Sequence, residues 1–129
     1  MAFTIKYDEN SEFEVDHFSK LVMFQKIIDM DISKNEKSLC LYILRKTLCF
    51  DKLDDRLSMY YLQKELQLSN ATLRKTISLA EENDLIKVVR SKGGDMQSSK
   101  KYSLFRLSNN LLMNLIQFIE EVRETNDFK

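Results

Sequence analysis

The chain of 129 residues contains no proline and no tryptophan, two glycines, two cysteines and one histidine. Each scarcity excludes something. Without proline there is no stiff extended linker, and with only the adjacent Gly93 and Gly94 there is no glycine-rich phosphate loop. Cys40 and Cys49 lack metal-ligand spacing. Both fall on one expected helix, on different faces, so they cannot pair within it. A reduced, cytoplasmic chain is expected. His17 has no cysteine or carboxylate pattern around it and reads as a surface or capping residue. No apolar run is long enough for a bilayer, and the first residues show no basic stretch leading into an apolar one, so neither a membrane span nor a secretion signal is expected. No nucleophile–base pair, metal cluster or cofactor loop emerges. Glu81 and Glu82 are successive helix residues and do not converge, so no enzyme, no metal and no cofactor are expected. Asp51, Asp54 and Asp55 lack the glycine and terminal glutamate of a calcium loop; pairing with Arg45, Lys46 or Arg56 is their expected use.

The formal net charge is zero, with 20 basic and 20 acidic residues. The charge is unevenly spread. Nine basic and five acidic residues lie between Tyr61 and Arg106, a net +4, while the segments on either side are each at −2. A domain that meets a polyanion on one side has this asymmetry.

That basic segment holds the most informative stretch, Ser58 to Val89. Ser58 and Ser69 each precede an apolar run and read as N-caps. Leu62 and Leu66, then Leu73, Ile77 and Ala80, form buried stripes on two short helices, with Leu68 plugging the turn. Asn83 is the expected left-handed end of the second helix. Ala71, Thr72, Lys75 and Ser78 point away from the stripe. They make a small, polar, cationic face that can enter a major groove.

Residues 85–90 and 100–107 alternate like strands around the two glycines. They form an expected hairpin whose flanks carry Lys87, Arg90, Lys92, Lys100 and Lys101. Upstream, residues 1–14 read as a strand or extended arm followed by an acidic link. Asp16 opens a helix whose apolar side is Phe18, Leu21, Val22, Ile27 and Ile28, widened by Met23 and Phe24. Ser33 with Glu36 is a capping box for a third helix, from Lys34 to about Leu48. Arg45 and Lys46 lie in its last turn, where the helix dipole favours cations and phosphate contact is an equal use. Phe50 anchors the charged connection that follows. A last helix starts at Ser108 or Asn109 and carries Leu111, Leu112, Leu115, Ile116, Phe118, Ile119 and Val122. These are too many apolar residues for a surface helix. Either the first helix and the arm cover them, or part of them, namely Leu112, Leu115, Ile116 and Ile119, forms a homodimer interface, which is the expectation.

The order specifies a mainly α fold with a small β-hairpin, a winged helix-turn-helix with extra N- and C-terminal elements. The expected division is an arm at 1–15, the winged helix-turn-helix at 16–108, and a dimerisation helix with an acidic tail at 109–129.

The run LRKTLCFDKLDDRLS, Leu44 to Ser58, resembles the N-terminal domain of phage replication protein O. That family shows an Arg-Lys-Thr, an aromatic, a Lys, and Asp-Arg-hydrophobic-Ser leading into its helix-turn-helix. Here these are Arg45, Lys46, Thr47, Phe50, Lys52, Asp55, Arg56, Leu57 and Ser58. Cys49 stands where the family usually has glycine. The likeness continues through Leu66 to Val88 and covers Phe24 to Leu107. It implies origin-type DNA binding in a phage, plasmid or other mobile element, without the helicase-recruiting half of that family.

Double-stranded DNA is therefore the expected partner. Asn70, Ala71, Thr72, Lys75 and Ser78 would face bases, and Arg74, Arg45, Lys46, Arg90, Lys92, Lys100 and Lys101 phosphates. The process would be replication initiation or transcriptional regulation. The alternative is a protein-binding winged helix that inhibits or modulates a host protein or another regulator through its apolar last helix or acidic surface.

Overall fold

A serine or aspartate hydroxyl or carboxylate starts each helix. The computed structural model describes residues 3–90 and 102–126. Asp16 accepts from the Ser19 amide at 2.8 Å and opens α1, His17–Asp29. Ser33 and Glu36 close the capping box at the head of α2, Lys34–Lys46. Ser58 accepts from the Tyr61 amide for α3, Met59–Leu66, and Ser69 from the Thr72 amide for α4, Asn70–Glu82. Ser108 accepts from the Leu111 amide for α5, Asn109–Asn126. Each cap satisfies an amide that has no partner within its helix.

Two small sheets complete the fold. β1, Phe3–Asp8, pairs antiparallel with β2, Ser11–Val15, placing Phe3 opposite Val15 and Ile5 opposite Phe13. The expected acidic link is thus a strand. Its glutamates, Glu12 and Glu14, alternate outward while Val15 is buried. The second sheet has the order β3-β5-β4, all antiparallel, from β3, Asp55–Ser58, β4, Ile86–Val89, and β5, Tyr102–Leu107. The charged connection before α3 therefore ends in a strand that pairs with β5, Arg56 opposite Leu104. Helix, strand, helix, helix, strand, strand from α2 to β5 is the winged helix-turn-helix order, as expected. α1 and the β1–β2 hairpin precede it, and α5 follows.

One core runs through all of these elements. Ile5 and Val15 of the arm join Met23, Ile43, Leu73 and Leu112 in a single buried cluster. α5 packs on α1 and against β1. Leu112, Leu115, Ile116 and Ile119, expected at a dimer interface, are accordingly buried within the chain's own core. The helix is apolar on two sides because the chain covers it on two sides.

α1 departs from its expected facing. Ser19, Val22, Met23 and Ile27 are buried, whereas Phe18, Leu21 and Ile28 are exposed. Ser19 turns inward, and its hydroxyl donates to Asp16 at 2.7 Å, so the buried polar group is satisfied.

α2 ends at Lys46. Leu48–Phe50 forms a single 3-10 turn, so Cys49 lies outside the helix and Phe50 stands out from the core. Asp51 pairs with Lys20 and Asp55 with Lys52, in place of the expected Arg45, Lys46 and Arg56.

Among the described residues three turns pass through left-handed backbone at residues with side chains: Asp51 at φ 58°, Gln67 at φ 56° and Asp84 at φ 55°. Asp84 takes the conformation expected of Asn83, whose φ is −83°. Among the described residues no helix is long and apolar enough to cross a membrane.

Candidate nucleic-acid interface

α4 is the element on which the expected site depends. Leu73, Thr76, Ile77 and Ala80 bury one side of it, and α2 and α3 pack there. The opposite side carries Asn70, Ala71, Arg74, Lys75 and Ser78, all exposed. Thr72 does not share that freedom. It is half-buried, and its hydroxyl oxygen accepts from Ser69 at 3.0 Å, so its polar group belongs to the cap. Leu79, one residue beyond Ser78, is exposed and extends the face with an apolar group. Sequence periodicity missed it because leucine is ordinarily assigned inward.

Among the described residues neither Arg74 nor Lys75 has an ion-pair partner. Other cations are engaged. Lys20, Lys52, Arg90 and Arg123 all hold carboxylates. An uncompensated cation on an exposed helix face raises the local potential, and a polyanion is its natural counter-ion.

Arg45, at the end of α2, is exposed and unpaired among the described residues. Lys46 is half-buried with its ammonium 5.6 Å from the Tyr42 ring centre, a cation–π contact that leaves its charge uncancelled. Burial pushes the Tyr42 phenol above its usual range, and Glu65 adds to this, so the ring stays neutral beneath that charge. Arg56, Lys64 and Lys87 are further exposed cations without an ion pair among the described residues.

β4 and β5 form the antiparallel pair expected of a wing, with Lys87 opposite Arg106 and Val89 opposite Leu104. Arg90 makes two bonds to Glu81 of α4, at 2.8 and 3.2 Å. This ion pair holds the Arg90 guanidinium protonated even more firmly than usual. This exposed ion pair fastens the start of the wing to the end of α4. Lys92, Lys100, Lys101 and both glycines lie outside the described residues.

The same end of α4 is tied a second time, to α2 and to the start of α5. Asn83 donates to Glu36 of α2 at 2.8 Å, and the same carboxylate accepts from Ser33 at 2.7 Å. The Asp84 side chain accepts from Asn110, and the Asp84 carbonyl accepts from Ser108. α4 is thus a fixed element, with its exposed side unobstructed among the described residues.

The fold is similar to solved structures at low sequence identity. A mutant of MepR from S. aureus is 20% identical, with 87% of this chain and 74% of that chain covered and a TM-score of 0.49. A structure of S. aureus MepR in its DNA-binding conformation is 19% identical, with 84% of this chain and 74% of that chain covered and a TM-score of 0.49. A protein described as "Possible transcriptional regulator" from Methanosarcina mazei Go1 is 16% identical, with 95% of this chain and 89% of that chain covered and a TM-score of 0.46. No family model matches the chain, and no curated protein matches its sequence. The resemblance to replication protein O therefore rests on the residues from Arg45 to Ser58 and on the helix pair that follows.

Proposed function

We propose that this chain binds double-stranded DNA in a sequence-dependent way, with α4 in the major groove. The observation that carries this is the outer side of α4: small polar residues around two exposed cations that have no carboxylate among the described residues. Asn70, Ala71, Lys75 and Ser78 face base edges, with Leu79 available to a thymine methyl group. Arg74, Arg45 and Lys46 hold phosphates, and these contacts set the register without reading sequence. Lys92, Lys100 and Lys101 belong to the wing in this reading and follow the adjacent backbone. The biological use is replication initiation or transcriptional control. The Arg45-to-Ser58 resemblance favours the former, in a phage, plasmid or other mobile element.

The protein-inhibitor reading loses support, because the apolar face of α5 that would have served it is buried. An exposed acidic surface alone does not select a partner.

Lys75→Glu tests the proposal. Selection from a random duplex pool first defines the preferred sequence. The variant is then expected to lose specific retardation of that duplex while its circular dichroism is unchanged. Undiminished binding would remove α4 from the groove.

A further inference from the structure

We infer that the outer face of α1 is a self-association surface, on which a second copy of this chain packs antiparallel. The proposal is independent of DNA binding and replaces the buried α5 face as the place where two copies meet.

Phe18, Leu21, Gln25 and Ile28 follow one another at steps of three, four and three residues. That is the a–d–a–d spacing of a coiled-coil seam. Leu21, Gln25 and Ile28 stand exposed on it, and the Phe18 ring at its head is partly covered by the Arg123 guanidinium of α5, 5.6 Å from the ring centre. Phe18 is 38% exposed, Leu21 58% and Ile28 47%. They form a contiguous apolar stripe at solvent on a helix whose other side already fills the core, and contiguous stripes of this kind mark interaction surfaces. The contacts of Lys20 with the Cys49 carbonyl and Asp51 bring the 48–51 turn alongside, and Phe50 on that turn is 63% exposed.

The seam is complementary to itself in one direction. An antiparallel copy, related by a two-fold axis at the middle of the helix, sets Phe18 over Ile28 of the second copy and Leu21 over Gln25 of the second copy. An isologous contact requires this kind of match between a patch and its own inverse. Charge selects the same direction. The head of α1 carries the positive end of the helix dipole, and Asp16 there is already paired with Arg123. The tail carries the exposed Asp29 and Asp31. Antiparallel packing puts the acidic tail of one helix beside the head of the other. Parallel packing would set Asp29 and Asp31 against their own copies, and like charges at such distance repel. A single helix pair makes a small interface, so association is expected to be weak and concentration-dependent.

Sedimentation equilibrium of the whole chain without DNA, over a range of concentrations, tests this. The average mass is expected to rise from one chain towards two. Leu21→Asp and, separately, Ile28→Asp should weaken association at least about tenfold, because each buries an unpaired charge in the seam. Tyr60→Asp, also at an exposed apolar position, should leave it unchanged. Orientation is read in a Cys49→Ser background: a Leu21→Cys chain mixed with a Gln25→Cys chain should cross-link on mild oxidation, and Gln25→Cys alone should cross-link poorly. A mass of one chain at every concentration, an association indifferent to both aspartates, or efficient cross-linking by Gln25→Cys alone would overturn the proposal.

Discussion

Asn83, at the end of α4, donates a 2.8 Å hydrogen bond to Glu36, 47 residues earlier in the chain and in the first turn of α2. Glu36 is buried, and its other oxygen accepts from Ser33. One carboxylate thus starts one helix and fixes the far end of another. Glu36→Ala is expected to cost about 1–3 kcal/mol, since it removes half of the capping box and leaves the Asn83 amide without its partner. Urea unfolding reads this directly. Asn83→Ala should cost less, and a double-mutant cycle should return a coupling between the two.

Asp16 does comparable work at the head of α1. The Ser19 amide and hydroxyl, with help from Arg123, hold its carboxyl below the usual aspartate range against a small opposing effect of burial. A lowered value means that the folded state prefers the ionised form. The stabilisation is therefore full above the ordinary aspartate range and is lost as pH falls through the lowered value. Asp16→Ala should cost about 1 kcal/mol at neutral pH. Asp16→Asn keeps the cap acceptor, gives up only an exposed ion pair, and should flatten part of the acid limb of a stability–pH curve.

The two thiols should differ in reactivity. Burial, reinforced by Glu36, pushes the Cys40 thiol up to about 12. At neutral pH it is neutral and enclosed, so a thiol reagent should modify the half-buried Cys49 first and reach Cys40 only on unfolding. A raised value favours the protonated folded state. That contribution is intact below the ordinary thiol range and declines as pH rises from there towards 12. Cys40→Ala should remove this part of the alkaline loss.

If α4 meets phosphates as proposed, binding should fall steeply with salt, because each neutralised phosphate releases a counter-ion. Arg74→Ala should reduce the slope of log affinity against log salt by about one without changing the preferred sequence. Ser78→Ala should leave the slope alone and relax sequence preference. A flat salt response would argue against backbone contacts altogether.

Much of the centre of this molecule was legible in the sequence, and much of its periphery was not. Ser33, Ser58 and Ser69 announce helices by local hydrogen bonding, and Leu73, Ile77 and Ala80 give the facing of α4 by period alone. Such signals need only neighbours in the chain. β3 is four residues long with three of them polar or charged for most of its length, and only pairing with β5 makes it a strand. The facing of α1 failed for another reason: it has apolar residues on two sides, and only the packing of α2 and α5 against it selects one of them. Counting apolar residues on α5 could not say whether the chain or a second copy covers them. On the candidate site, period placed Ala71, Lys75 and Ser78 outward, but it could not show that Thr72 is engaged with Ser69 or that Glu81 takes Arg90.

Gln67 lies in the turn between α3 and α4 with φ 56° and ψ 46°, a conformation that ordinary residues adopt at a cost of about 1 kcal/mol or more. Glycine at that point would shed the penalty while leaving every side chain on the outer face of α4 in place. The chain therefore holds an untapped margin of heat tolerance in the turn between α3 and α4, open to an engineer who wants a sturdier protein with the outer face of α4 unaltered.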